Sequence, residues 1–315
     1  MKPCHGLVRS YRHARTPPSR ARCCPRDGHT ARTYMEDAHI AAAIAAHAKC
    51  FSDLPIANAY SLSANEALRR GLPKRSEEVD LTYGDVPIPA VANVLCAVSP
   101  RQGTIFYDLG SGVGRGVIAA ALLHRFSHCV GIELLTDLHA ATLEPARRFS
   151  ELQGAPDRAG LDPSRIAMQV SFVNSDLFDC HLAQDAELRQ RQQQQQSAPS
   201  EGGQLVPKAD VVIFVCCVTW GSSLMHRLAS KLAEELPDGS KVITVGQRLP
   251  ELVDLAPGER GKDRGAVRFE EVCRCSEPFE WGTEVLVVQQ NTRVGVLAAR
   301  RLRKAAGVVT RARGR

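Results

Sequence analysis

No apolar run in this chain approaches the roughly 18 residues that a membrane-spanning helix needs, so no membrane partner is expected. Cysteine occurs eleven times but never as a C-x-x-C pair, and Cys23-Cys24, Cys216-Cys217 and Cys273-x-Cys275 are too tightly spaced for a usual zinc site or disulfide. The odd number and scattered positions read as free thiols in a reducing compartment, with no metal expected. Acidic residues are scarce only at the ends. Residues 1–33 hold one, Asp27, against eight Lys/Arg, and residues 293–315 hold none against eight. The net charge of +6 therefore hides an acidic interior, with 24 basic and 33 acidic residues over 34–292. That division excludes a uniformly basic nucleic-acid-binding domain and leaves two basic arms on an acidic body. The N-terminal arm has three readings: contact with a polyanion, an organelle transit peptide, or a solvated disordered tail. In the C-terminal arm (291–315), the cluster Arg300 to Lys304 favours polyanion contact.

What is present is a regular alternation of short apolar runs with longer helical patterns. Residues 34–79 read as a helical N-terminal extension, with a helix over Glu36 to Phe51 and a short helical or irregular segment over Asn58 to Leu72. Thr82-Tyr83-Gly84-Asp85 is a loop, and Pro89 to Val98 a helix. Strand Thr104–Tyr107, helix Val113–Phe126, strand Cys129–Ile132, helix Thr136–Leu152 and strand Met168–Val173 follow. After a low-complexity insertion (180–208, with Gln192 to Gln196) come strand Asp210–Val215, helix Ser222–Leu236 and strand Lys241–Val245. Val267–Arg274 and Thr283–Gln289 read as an antiparallel pair. The expected fold is α/β: a seven-stranded, Rossmann-like, mostly parallel sheet with an antiparallel closing strand, spanning residues 80–290.

The segment Tyr107-Asp108-Leu-Gly110-Ser-Gly112-Val-Gly114 joins the first strand to the following helix through a tight glycine turn. It is a D-x-G-x-G-x-G pattern rather than G-x-G-x-x-G, whose third glycine packs helix on strand. An acid ahead of the turn suits a cationic or hydroxyl-bearing ligand end, and glycine lets backbone approach that ligand closely. S-adenosyl-L-methionine offers a sulfonium, an amino group and ribose hydroxyls, and is the expected cofactor. In an open α/β sheet the ligand lies beyond the carboxyl ends of the strands. Glu133 ends the second strand, where its carboxylate can accept two ribose hydroxyls or cap the next helix. Asp176, after the third strand, can accept an adenine amino group, with Leu177 or Phe178 on the ring, or can form a turn. Cys216-Cys217-Val218-Thr219-Trp220 ends the fourth, on the side of the reacting methyl.

Tyr83-Gly84-Asp85, the Asp108 to Gly114 motif, Gly131-Ile-Glu133 and Val212-Ile-Phe-Val215 together resemble the catalytic domain of the non-SET, disruptor-of-telomeric-silencing histone H3 lysine methyltransferases. The resemblance covers roughly residues 80 to 290. It implies that Tyr83 and Asp85 close over the methionine moiety, that Glu133 holds the ribose, and that Asp176 and Leu177 hold the adenine. It further implies a lysine acceptor, histone H3 or the nucleosome as partner, and a nuclear location; cytoplasm, or an organelle if residues 1–33 are a transit peptide, are the alternatives. Two departures stand out. Cys216 and Cys217 replace the family's asparagine pair, with Trp220 in place of its last aromatic, and Arg115 replaces a glutamine. Cys216 and Trp220 are therefore the acceptor-side candidates, and Val218, Trp220 and Trp281 could line an apolar lysine channel. The donor half is intact while the acceptor half is altered. This keeps open another protein, an RNA, a small molecule, or a non-catalytic donor-binding module.

Overall fold

Five short β-branched and aromatic runs, each bounded by turn residues and separated by helical stretches, fold into a parallel sheet covered on both faces. The computed structural model describes residues 37–73, 76, 80–155, 160–182, 186, 210–255, 265–296, 298, 299 and 302. The basic arm 1–33, most of the insertion 180–208 and the cluster around Arg300–Lys304 lie largely or wholly outside the described residues.

Helices α1 (Asp37–Cys50), α2 (Ile56–Arg69) and α3 (Ile88–Val98) precede the sheet. Strands β1 (Ile105–Leu109), β2 (His128–Glu133), β3 (Val170–Asn174), β4 (Val211–Cys216) and β5 (Lys241–Val245) are joined in parallel. They alternate with α4 (Arg115–Leu123), α5 (Thr136–Ala141), α6 (Leu143–Gly154) and α7 (Ser222–Glu235). Antiparallel strands β6 (Leu252–Asp254), β7 (Ala266–Phe279) and β8 (Gly282–Val294) close the sheet, whose order is β3-β2-β1-β4-β5-β8-β7-β6. The period-2 alternation of the strands feeds two cores. Phe106, Val212 and Phe214 face the layer of α1, α3, α4 and α6, while Ile105, Tyr107, Ile213 and Val215 face α7.

The sheet has eight strands rather than seven. The extra one, β6, is three residues long, too short to display a period in sequence. The helix expected over 136–152 is two, parted at Thr142. Pro145 has no N–H to donate to the carbonyl of Ala141, so the first helix stops there and the proline sits in the first turn of the second. The helix expected from Val113 begins at Arg115, because Gly114 at φ 84° is its left-handed N-cap. β7 and β8 outrun their expected lengths, with alternating exposed polar residues along the hairpin, and β8 passes the expected boundary at 290. Arg293 belongs to that strand, paired with Val267 and lying 3.8 Å from Asp238, so the C-terminal arm starts beyond Val294.

The N-terminal helices share the core of the sheet. Ala43 and Ala46 of α1 are fully buried against α4. Glu66 of α2 is 4% exposed and accepts the backbone N–H of Thr136 (2.9 Å) and Asp137 (2.7 Å), the first two residues of α5. α5 has no side-chain cap of its own, so a helix outside the sheet supplies it.

Candidate active site

A cavity open to solvent lies beyond the carboxyl ends of β1, β2 and β4 and is roofed by residues 80–86. Tyr83, Asp85, Asp108, Gly110, Gly112, Glu133, Asp176, Leu177, Cys216 and Trp220 all line it. Gly114 does not. A Cβ there would stand 2.5 Å from Cε1 of Phe172 on β3, so this glycine serves helix-on-strand packing, the role that the sequence pattern was read as lacking. Gly112 works differently. At φ 56° it turns the chain, and a Cβ would meet Cε2 of Tyr83 at 2.5 Å, so the tyrosine ring lies directly on the glycine turn.

Asp108 is 5% exposed and its side chain has no hydrogen bond or ion pair among the described residues. Burial, then the nearby Glu133 and Asp85, push its pKa up to about 8. Room for this carboxylate comes from Gly116, where a Cβ would lie 2.6 Å from Oδ2. A buried, uncompensated acid at the head of a glycine turn is a receptor for a cation. Ser111 Oγ, also buried on the cavity wall, has no hydrogen-bond partner among the described residues.

Glu133 uses one carboxylate oxygen to accept Gly112 N–H (2.7 Å) and the other to accept Leu135 N–H (2.8 Å). Each oxygen keeps acceptor capacity beyond these amide contacts, while the first two residues of α5 are capped by Glu66 instead. Burial raises its pKa, opposed by those same amides. Asp176 likewise forms a turn, accepting Phe178 N–H at 2.9 Å, while it lines the cavity. The loop that carries it is pinned from α7: Arg227 lies 4.0 Å over the Phe178 ring, and Lys231 donates to the carbonyl of Cys180 and to Glu235 (2.6 Å).

The roof is held by side chains. Tyr83 packs edge-on to Tyr60 with centroids 5.3 Å apart, and Trp281, at the tip of the β7–β8 hairpin, covers Gly84. Asp85 is raised to about 6, by burial first, with Arg115 opposing. On the acceptor side, burial pushes the Cys216 thiol up to about 12, so it is neutral and no nucleophile at ordinary pH. Cys217 points away into the core, its Sγ 3.3 Å from the carbonyl of Val245. Of the three residues expected to line a channel, only Trp220 reaches the cavity. Val218 packs on Gly246, and Trp281 lies over the roof. Sequence reasoning missed Gln247, whose amide donates to the carbonyls of Cys217 (2.9 Å) and Trp220 (2.8 Å) and so braces the acceptor loop. A lone glutamine after a strand carries no signal of such a role. Among the described residues no group of three or more His, Cys, Asp or Glu could hold a metal ion, and no helix is long and apolar enough to cross a membrane.

Residues 69–179 match the family described as Histone methylation protein DOT1. A comparison with curated proteins gives no match. Among solved structures the chain is similar to Haemonchus contortus phosphoethanolamine N-methyltransferase 2 in complex with phosphomonomethylethanolamine and S-adenosylhomocysteine, at 18% identity, TM-score 0.29, over 50% of this chain and 28% of that one. It is similar to TrmN from Thermus thermophilus at 16% identity, TM-score 0.37, over 66% of this chain and 49% of that one. A precorrin 8w decarboxylase from Methanobacterium thermoautotrophicum gives 14% identity, TM-score 0.33, over 68% and 96%. The chain thus spans less than half the length of the first two. The fold rests on the strand order, not on these likenesses. By that order and by the family matched over residues 69–179, the chain has the class I S-adenosylmethionine-dependent methyltransferase fold and resembles the histone methylation protein DOT1 family.

Proposed function

We propose that this protein is an S-adenosylmethionine-dependent methyltransferase of the non-SET histone-lysine type, with histone H3 in nucleosomes as its substrate and the nucleus as its place of action. The cofactor is S-adenosyl-L-methionine, as in the family matched at residues 69–179. The observation that carries the reading is the buried Asp108 carboxylate, without a cationic partner, in one cavity with Glu133 and Asp176. The residues present fit the cofactor. Asp108 would take its amino group, Glu133 the ribose hydroxyls, Asp176 and Leu177 the adenine, and Tyr83 with Asp85 the methionine end. Bound there, the cofactor supplies an electrophilic methyl on a sulfonium.

The protein's own part is alignment and exclusion of water. The Tyr83 ring on Gly112 and the Trp281 ring on Gly84 place aromatic surface over the roof segment. A lysine amine attacks only when neutral, and its reference pKa of about 10.4 falls in a desolvated channel. Trp220 and the neutral Cys216 offer such an apolar wall, and Gln247 fixes the loop that carries them. The lysine ammonium gives its proton to bulk water as it enters this wall, and the methylated product, formed as an ammonium, returns to solvent still charged.

The test is transfer of radiolabelled methyl to nucleosomes, free histones and total lysate, with Gly110→Arg beside the wild type. Label on nucleosomal H3 that vanishes in the variant is the expected result. Label only on another protein, an RNA or a small molecule discards the histone assignment. Donor binding without label anywhere leaves a binding module.

A further inference from the structure

Strand β7 changes faces partway along. Phe269 belongs to the core on the α7 side and Phe279 to the core on the α3 side, although strict alternation would keep both on one face. The switch is made at Val272, an extra residue between Glu271, which pairs with Gln289, and Cys273, which pairs with Val288. Beyond this bulge Cys273 packs on the α3-side core, and Cys275, two positions on, shares its face. Both are free thiols, and they hydrogen-bond to each other. Cys275 is buried, while Cys273 is partly open to solvent. Lys241 of β5 stands close by, donating to Gln290 of β8. The Cys275 thiol first, and more weakly the Lys241 ammonium, hold the Cys273 thiol below its ordinary pKa, against burial and the Glu271 carboxylate.

We propose that Cys273 and Cys275 are a peroxide-reactive dithiol, oxidised reversibly to a disulfide that loosens the roof of the cavity. The Cys273 thiolate attacks hydrogen peroxide; an S–O bond forms as the O–O bond breaks, and the departing hydroxide takes up the thiol's proton. Cys275, as thiolate, then attacks the Cys273 sulfur. The S–S bond forms, and hydroxide leaves as water with the Cys275 proton. The two sulfurs give up two electrons together, and one peroxide is reduced to two waters. Two strand positions span about 6.7 Å, at the long end of the roughly 4.4–6.8 Å that a disulfide bridges, so the bond draws β7 together and stays easy to reduce. β7 leads directly to Trp281 over Gly84, so its contraction reaches the roof. That effect rests on the donor reading given above; the dithiol itself does not.

Stoichiometric hydrogen peroxide on the full chain, followed by alkylation of free thiols and trypsin, reads the bond by mass. Cleavage after Arg274 parts Cys273 (residues 269–274) from Cys275 (275–293), so the two peptides travel together only if the bridge exists. The expected product is that joined pair, lighter by two hydrogens than its parts and released by dithiothreitol. Calorimetry with S-adenosylmethionine should show donor affinity falling on the order of three-fold or more on oxidation and recovering on reduction, with Cys273→Ala treated alike changing by less than about two-fold. Both thiols alkylated, Cys273 joined to another cysteine, or Cys273 carried on to the sulfinic acid would each overturn the proposal. A bridged protein with unchanged donor affinity overturns the link to the roof. Absence of donor binding in either state rejects the donor cavity, while the peptide pair still decides the dithiol.

Discussion

Asp108 is a carboxyl that folding keeps partly protonated at neutral pH. Its pKa in the folded chain, about 8, lies above the ordinary aspartate value of 3.8. Between those values the folded state binds more protons than the unfolded one, so the stability of the ligand-free protein falls as pH rises through that window. A ligand amino group needs the ionised form, so donor affinity rises over the same range toward pH 8. Asp108→Asn should flatten the fall in melting temperature across that window, raise the melting point at its upper end, and weaken donor binding on the order of ten-fold or more. Melting curves and calorimetry at several pH values check both; a slope unchanged by the substitution would sink the assignment. Gly112→Ala is the steric counterpart. It forces a Cβ at φ 56° into the Tyr83 ring, at a cost of about 1–2 kcal/mol for the backbone alone, and should weaken donor binding by displacing the roof. These residues were legible because a polar side chain directly after an apolar strand declares the ligand end of the sheet. Gly116 and Ser111 stood in the same stretch but were not, since a Cβ clash and an unmet hydroxyl exist only once Asp108 and the cavity have positions.

At the scale of the element, α2 is part of the catalytic unit by virtue of Glu66. Removing its carboxylate in Glu66→Ala strands two backbone N–H groups at the start of α5 and should cost about 1–3 kcal/mol by denaturant unfolding. Gln247→Ala frees the carbonyls of Cys217 and Trp220, and should lower methyl transfer while leaving donor affinity unchanged. Equal loss of binding would mean that the loop serves the donor side instead. The parallel strands could be read from their β-branched runs, and the break at Thr142 could have been, from Pro145. The capping of one helix by another could not, because 70 residues separate Glu66 from Thr136 and nothing local links them.

At the scale of the whole molecule, charge is segregated. An acidic body carries basic arms in its sequence, and in the nucleosome reading proposed above such arms would supply affinity without sequence reading. Neutralising Arg300, Arg301, Arg303 and Lys304 together leaves β8 intact, which ends at Val294. It should reduce nucleosome methylation and its steep dependence on salt, with donor affinity unchanged. Equal rates for the variant and wild type across a salt series would count against docking through this arm. The fold class was open to inspection in the sequence, since strand and helix alternate with clear periods. The polar far ends of β7 and β8 were not, as they extend beyond the apolar stretch that marks a strand.

The chain has two tryptophans, Trp220 and Trp281, and both stand at the same place, one on the cavity wall and one on its roof. Its intrinsic fluorescence is therefore almost wholly the emission of the site. Ligand entry and roof closure each have a separate optical reporter, resolvable with Trp220→Phe and Trp281→Phe, and no label has to be attached.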